Sequence, residues 1–95
     1  MNLTQLHPSD KSVSATALFK GELGIATAIQ IKAGCQLKEH ITKTPALLIC
    51  VSGIGSYNDE QGNHFPLTAG EYVEIAPLVK HWIDANEHAH FILLK

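Results

Sequence analysis

The sequence predicts an all-β fold, a small sandwich or barrel, and three observations carry that prediction. Apolar residues recur with a period of two, and no window of a dozen residues carries a helical stripe. The alternating runs are short and come about every 8–12 residues. Between them stand clusters of Gly, Pro, Asn and Asp, the residues that turn a chain. At 95 residues the chain has room for one core.

The elements follow in order. Residues 1–15 are polar and small, with His7-Pro8-Ser9-Asp10 as a turn, and are expected to form an N-terminal arm ahead of a barrel over 16–95. Across that boundary, Val13, Ala15, Ala17 and Phe19 alternate with polar neighbours, a candidate strand for covering a sheet edge in a dimer. Ile25, Thr27, Ile29 and Ile31 alternate with Ala26, Ala28, Gln30 and Lys32, a half-buried strand ended by Ala33-Gly34. Gln36 to Lys43 alternates again, with Leu37 and Ile41 on one face and Lys38, His40 and Thr42 on the other. Pro45 opens Ala46 to Val51, apolar on both faces and therefore central. Ser52-Gly53-Ile54-Gly55 is a turn, Asn58 to Asn63 a hairpin tip, and Leu67 to Gly70 a further turn. Tyr72 to Ile75 alternates until Ala76-Pro77-Leu78 breaks it. His81, Ile83 and Ala85 then share a face with Trp82 and Asp84 opposite, and Phe91 to Leu94 is a last apolar strand.

Composition narrows the function. Apolar residues make up 45% of the chain and charged ones 17%, which excludes disorder. The net charge is -2 and every cation is a lysine, so neither a basic face for nucleic acid nor an arginine clamp on phosphate or carboxylate is expected. The longest apolar run, Ala46 to Val51, is far short of the ~20 residues that span a bilayer, so no membrane partner is expected. The first ten residues lack a cationic stretch followed by an apolar core, so no signal peptide is expected. Cys35 and Cys50 read most simply as free thiols, and with them a cytoplasmic location. Six histidines stand out, because imidazole is both the commonest metal ligand and a common acid–base group.

Two of these histidines sit at meaningful spacings. Gly34, His40 and Gly53 fall at the spacings of G-x5-H-x-H-x3,4-E-x6-G, and Gly70 and His81 at those of G-x5-P-x-G-x2-H-x3-N. In this order, on an all-β pattern, they resemble the cupin superfamily over roughly Gly24 to Lys95. The resemblance implies a single-domain cupin-type jelly-roll β-barrel, a double-stranded β-helix. In that family two His and a Glu of the first motif, with the His of the second, hold a divalent metal. Here Thr42 stands in the second His position and Ala46 in the Glu position, so only His40 and His81 remain. Ala76, Leu78 and Ala85 likewise replace the proline, second glycine and asparagine of the second motif.

The resemblance places His40 and His81 in one cavity, as the metal ligands and the catalytic candidates. If Ala46 faces that lumen, alternation brings Leu48 and Cys50 with it. His40, Thr42, Ala46, Leu48, Cys50, His81 and Ile83 are then the expected ligand-binding set. Cys50 is either a third metal ligand or, as buried free cysteines usually are, a small core residue. His88 and His90 share a strand face and His-x-His can chelate; His64 flanks the hairpin and His7 lies in the arm. Tyr57, Trp82 and Phe91 line the mouth or cover the core, with Trp82 on the face opposite His81.

Three functions are compatible with this set. The first is a small barrel that binds a small, largely uncharged ligand in its lumen, because losing the glutamate makes the cavity more apolar. The second is a metal-dependent dioxygenase or isomerase that uses His40 and His81 with a non-standard ligand such as Cys50. The third is a metal-free isomerase or epimerase with histidine as base. No cofactor is assured; a weakly held iron, manganese, nickel or zinc ion is what the resemblance leaves open. The expected partners are the ligand and a second copy in a homodimer.

Overall fold

In a computed structural model describing residues 1–95, nine strands follow a short 3-10 turn, Leu3–Leu6. The strands are β1 (Val13–Lys20), β2 (Ile25–Ile31), β3 (Gln36–His40), β4 (Ala46–Ser52), β5 (Ile54–Asp59), β6 (His64–Thr68), β7 (Tyr72–Ile75), β8 (His81–Ala85) and β9 (Ala89–Leu94). They form a five-stranded sheet, β1-β2-β9-β4-β7, and a four-stranded sheet, β3-β8-β5-β6, antiparallel throughout. The period of two predicts the all-β class, and the jelly-roll arrangement is the one the resemblance implies. Consecutive strands often lie in different sheets, so the core is closed by non-local pairing.

The two sheets close on a core of fourteen buried apolar residues. Leu48, Cys50, Tyr57, Ile83 and Phe91 are among its members, so the interior is filled by side chains. Gly53 and Gly55 make that closure possible. Gly53 turns β4 into β5 at φ 82°, and a Cβ there would stand 2.2 Å from the His88 carbonyl oxygen. At Gly55 a Cβ would meet the Phe91 ring at 2.8 Å. The sequence-based turn over Ser52 to Gly55 therefore shrinks to Gly53 alone, with Ile54 and Gly55 already in β5.

Three further corrections concern how the sheets are covered. β1 begins at Val13, inside the stretch expected to be arm, and pairs with β2. β9 begins at Ala89, two residues before the expected start, which brings His90 into the sheet. β2 is not half-buried toward its C-terminal end: Ala28 and Gln30, on its outer face, are as buried as Ile29 and Ile31. The residues ahead of β1 cause this. Their 3-10 turn is capped by Asn2, whose side chain accepts from Thr4 N–H while Gln5 returns a bond to the Asn2 backbone. The segment lies back over the outer face of the five-stranded sheet. Lys32 holds it through the Ser9 carbonyl, and His7 holds it through Ser14, 2.8 Å from its Nδ1.

Candidate functional site

The site is set by a single extra residue in β3. Leu37 pairs with Ile83 and His40 with His81, so three steps along β3 match two along β8. That is a β-bulge, and it changes which face the following residue presents. Strict alternation puts His40 on the face opposite Leu37; the bulge brings His40 against the inward-facing His81. On β8 the alternation is regular, and His81 shares the inner face with Ile83 and Ala85, as expected from the sequence.

The two imidazoles meet edge to face, with ring centres 4.2 Å apart and an interplanar angle of 61°. Their Nε2 atoms are 3.0 Å apart. His81 Nδ1 lies 3.0 Å from the Val79 carbonyl oxygen. A carbonyl only accepts, so that nitrogen carries the hydrogen and His81 Nε2 presents a lone pair. For the contact between the two Nε2 atoms to be a hydrogen bond, His40 donates from Nε2. Its Nδ1 faces the Lys38 carbonyl at 3.2 Å, which also only accepts, so all three contacts are hydrogen bonds only when the pair holds three ring hydrogens on its four nitrogens, one more than two neutral rings carry. Burial holds His81 below the usual histidine range, opposed by the Val79 carbonyl and reinforced by the neighbouring His40. The result is a buried neutral base in contact with a half-exposed proton donor.

Two residues the sequence left elsewhere belong to this centre. Tyr57 stacks on His81 at 5.9 Å and donates to Asp59 Oδ2 at 2.9 Å. Asp59, paired in register with His81, also accepts from the backbone of Gln61 and Asn63 and from the Asn63 side chain. Burial pushes the Asp59 carboxyl up, but these four donors outweigh it and hold it below its usual range. The same bond, with burial foremost, pushes the Tyr57 hydroxyl well above its usual range. Asp59 looked like part of a hairpin tip. The signal that it lies beside His81 was the β5–β8 register, legible only once both strands were placed.

The other expected site residues are placed as follows. Thr42 is buried, its hydroxyl oxygen has no partner, and its carbonyl accepts the Leu78 N–H at 2.8 Å. Leu78, in the motif's glycine position, adopts φ 65°, the left-handed conformation that glycine favours. Leu48, Cys50 and Ile83 are members of the buried apolar cluster. Ala46 borders an outer depression beside Pro45, Leu47 and Glu74. None of the four surface depressions is lined by His40 or His81. Trp82, half-buried on the outer face opposite His81, borders one with Gln36, Lys38 and Glu39. His64 pairs with Asn58.

The residues present do not fit the divalent metal of the family's motif. That set is three imidazoles and a carboxylate, of which Thr42 and Ala46 replace two, leaving His40 and His81 as its only donors, and no three His, Cys, Asp or Glu side chains gather anywhere in the chain. Cys50 does not complete the set: its thiol points to the Ser52 and Gly53 carbonyls at 3.5 and 3.9 Å. Burial also pushes that thiol up, away from the thiolate that binds metals. The lone pair of His81 is already taken by His40.

Two antiparallel sheets in this order, with the two motif histidines paired inside, define a jelly-roll barrel of the cupin fold. Solved structures agree. A cupin superfamily protein from Desulfitobacterium hafniense aligns with a TM-score of 0.84 over 98% of this chain and 84% of its own, at 11% identity. A cupin-like protein from Thermotoga maritima gives 0.78 over 87% and 67%, at 24% identity. KdgF from Halomonas sp. gives 0.76 over 93% and 83%, at 14% identity. No family model and no curated protein matches the sequence. At these identities the likeness defines the fold, and the chemistry has to be argued from the site. No helix of the chain is long and apolar enough to cross a membrane.

Proposed function

We propose that this chain is a small cupin-fold barrel that binds a small, largely uncharged ligand, recognised by the His40–His81 pair. The observation that supports it is the 3.0 Å contact between the two Nε2 atoms, which joins a buried acceptor to a half-exposed donor. A ligand carrying one donor and one acceptor, such as a hydroxyl, can insert between them and satisfy both. Charge is disfavoured: the carboxylate beside the pair, Asp59, is saturated by its own donors. Because the interior is filled, the approach is from the His40 side, not through an open lumen.

The test is protein-observed NMR with a panel of neutral hydroxyl and carbonyl compounds. Shift changes centred on His40, Thr42 and His81, abolished by His40→Ala, support the reading. Changes that map elsewhere, or persist in His40→Ala, overturn it.

One observation favours a second reading, a metal-free isomerase or epimerase. The fixed tautomer of His81 leaves Nε2 as a base, and His40 can pass the proton to solvent. Such an activity would survive chelator and vanish in His81→Gln. The reading also carries a cytoplasmic, homodimeric protein: β1 is a sheet edge on which Leu18 and Phe19 are exposed. Light scattering at micromolar concentration should give the mass of two chains, and a single-chain mass would end that part of it.

A further inference from the structure

A second group of histidines lies on the outer face of the five-stranded sheet, away from the first pair. Ser14, Gln30 and His90 form a row across β1, β2 and β9, each paired in register with the next. His7, from the arm, lies over that row. Its Nδ1 is 2.8 Å from Ser14 Oγ, and its ring centre is 5.9 Å from that of His90. His88 stands on the open side, 5.2 Å from the His90 ring. Gln30, His7 and His90 are 3%, 8% and 8% exposed.

The partners of this group are incomplete in a particular way. His7 Nε2, His90 Nδ1 and Gln30 Oε1 are all buried and have no hydrogen-bond partner. Each ring has its other nitrogen at a hydroxyl, His7 at Ser14 and His90 at Thr4, 3.5 Å away. Hydroxyls that accept those N–H groups leave a lone pair on each unpartnered nitrogen. Second-shell acceptors of this kind fix the tautomer of metal-binding histidines.

Ring spacing agrees with a shared ion. Two imidazoles on one tetrahedral ion, with metal–nitrogen bonds of about 2.1 Å, have their ring centres roughly 5–6 Å apart. No three His, Cys, Asp or Glu converge here, so the protein donors are two imidazoles and an amide oxygen. Water or a rotated His88 completes the shell from the open side. We propose that His7 and His90, with Gln30 Oε1, take one borderline divalent ion such as zinc or nickel, and that this ion pins the N-terminal arm to the sheet.

Equilibrium dialysis of the full chain, first stripped with chelator, tests this with zinc, nickel and magnesium. Zinc and nickel should be retained at about one per chain, and magnesium, which prefers oxygen donors, should not. Losing a second-shell partner costs about 10–100-fold in affinity, so loss of a ligand in His7→Gln or His90→Gln should cost at least about 100-fold. His40→Ala should leave retention unchanged, which separates this site from the first pair. Amide exchange over Leu3–His7 should slow when zinc is added. If His90→Gln fails to fold, His7→Gln decides alone, because His7 lies outside every strand. Retention unchanged in His7→Gln, retention lost in His40→Ala, or no retention at all would each overturn the proposal.

Discussion

The molecule holds two histidine groups, and they differ in how their nitrogens are satisfied. Inside the four-stranded sheet, His40 and His81 complete each other and the outer nitrogens meet backbone carbonyls. Outside the five-stranded sheet, His7 and His90 are each tied to a hydroxyl and leave a buried nitrogen unused. Both groups contain rings that burial holds in the neutral form. Burial alone therefore does not say what a histidine does. The closed pair has a proton to exchange; the open group has lone pairs to give.

The largest effect that would break this comparison is at Gly53. It combines φ 82° with a Cβ position 2.2 Å from the His88 carbonyl, where the backbone leads into the open group. Gly53→Ala should cost at least about 3 kcal/mol in a urea titration, with the amide shifts of His88 and His90 displaced while those of His40 and His81 hold. An alanine tolerated at less than about 1 kcal/mol would mean that the β4–β5 turn does not constrain β9 as described.

The pH dependence of stability sharpens the comparison. His7, His81 and His90 all sit below the ordinary value of 6.5 in the folded chain. Unfolded, each takes a proton near 6.5, so below that pH the unfolded chain binds more protons and stability falls with falling pH. Above about pH 7.5 these groups contribute no slope. The urea midpoint should be lower at pH 5.5 than at pH 7.5. His81→Gln should remove one part of that difference and the double variant His7→Gln/His90→Gln the rest. Equal midpoints at the two pH values would show that neither group is held neutral by the fold.

The smallest effect is at Leu78, whose N–H bonds to the Thr42 carbonyl beside the closed pair. A left-handed leucine costs about 1–2 kcal/mol, and a glycine gives back about 0.5–1 through the unfolded chain. Leu78→Gly should therefore raise stability by about 0.5–1 kcal/mol, seen as a higher melting temperature. A loss instead would mean that the exposed leucine side chain contributes more than its backbone costs.

Much of the fold was legible because a period of two is a local signal. Tyr72–Ile75 and His81–Ala85 are where the pattern put them, and β4 is central as its two apolar faces require. The site was legible in part. Motif spacing found His40 and His81; it put Leu78 in a glycine position, and the structure adds that this leucine takes a left-handed conformation. Three things depended on non-local packing that no periodicity carries. The bulge at Leu37/His40 put His40 inside; the arm buried Gln30 and His90; the β5–β8 register set Asp59 beside His81. Leu48 and Cys50, expected to face a lumen, lie in the buried apolar cluster; apolar alternation marks an inward side chain whether a cavity or a neighbour receives it.

The bulge in β3 makes inside and outside a matter of parity. Along a strand, sidedness is an odd-or-even count, and one inserted residue shifts that count by one. Between Leu37 and His40 the shift is what turns a histidine that counting would show to solvent toward its partner. Deleting either Lys38 or Glu39 would leave every atom of the imidazole intact and face it the wrong way. A substitution scan of those two positions would miss this, because what they contribute is their number and not their chemistry.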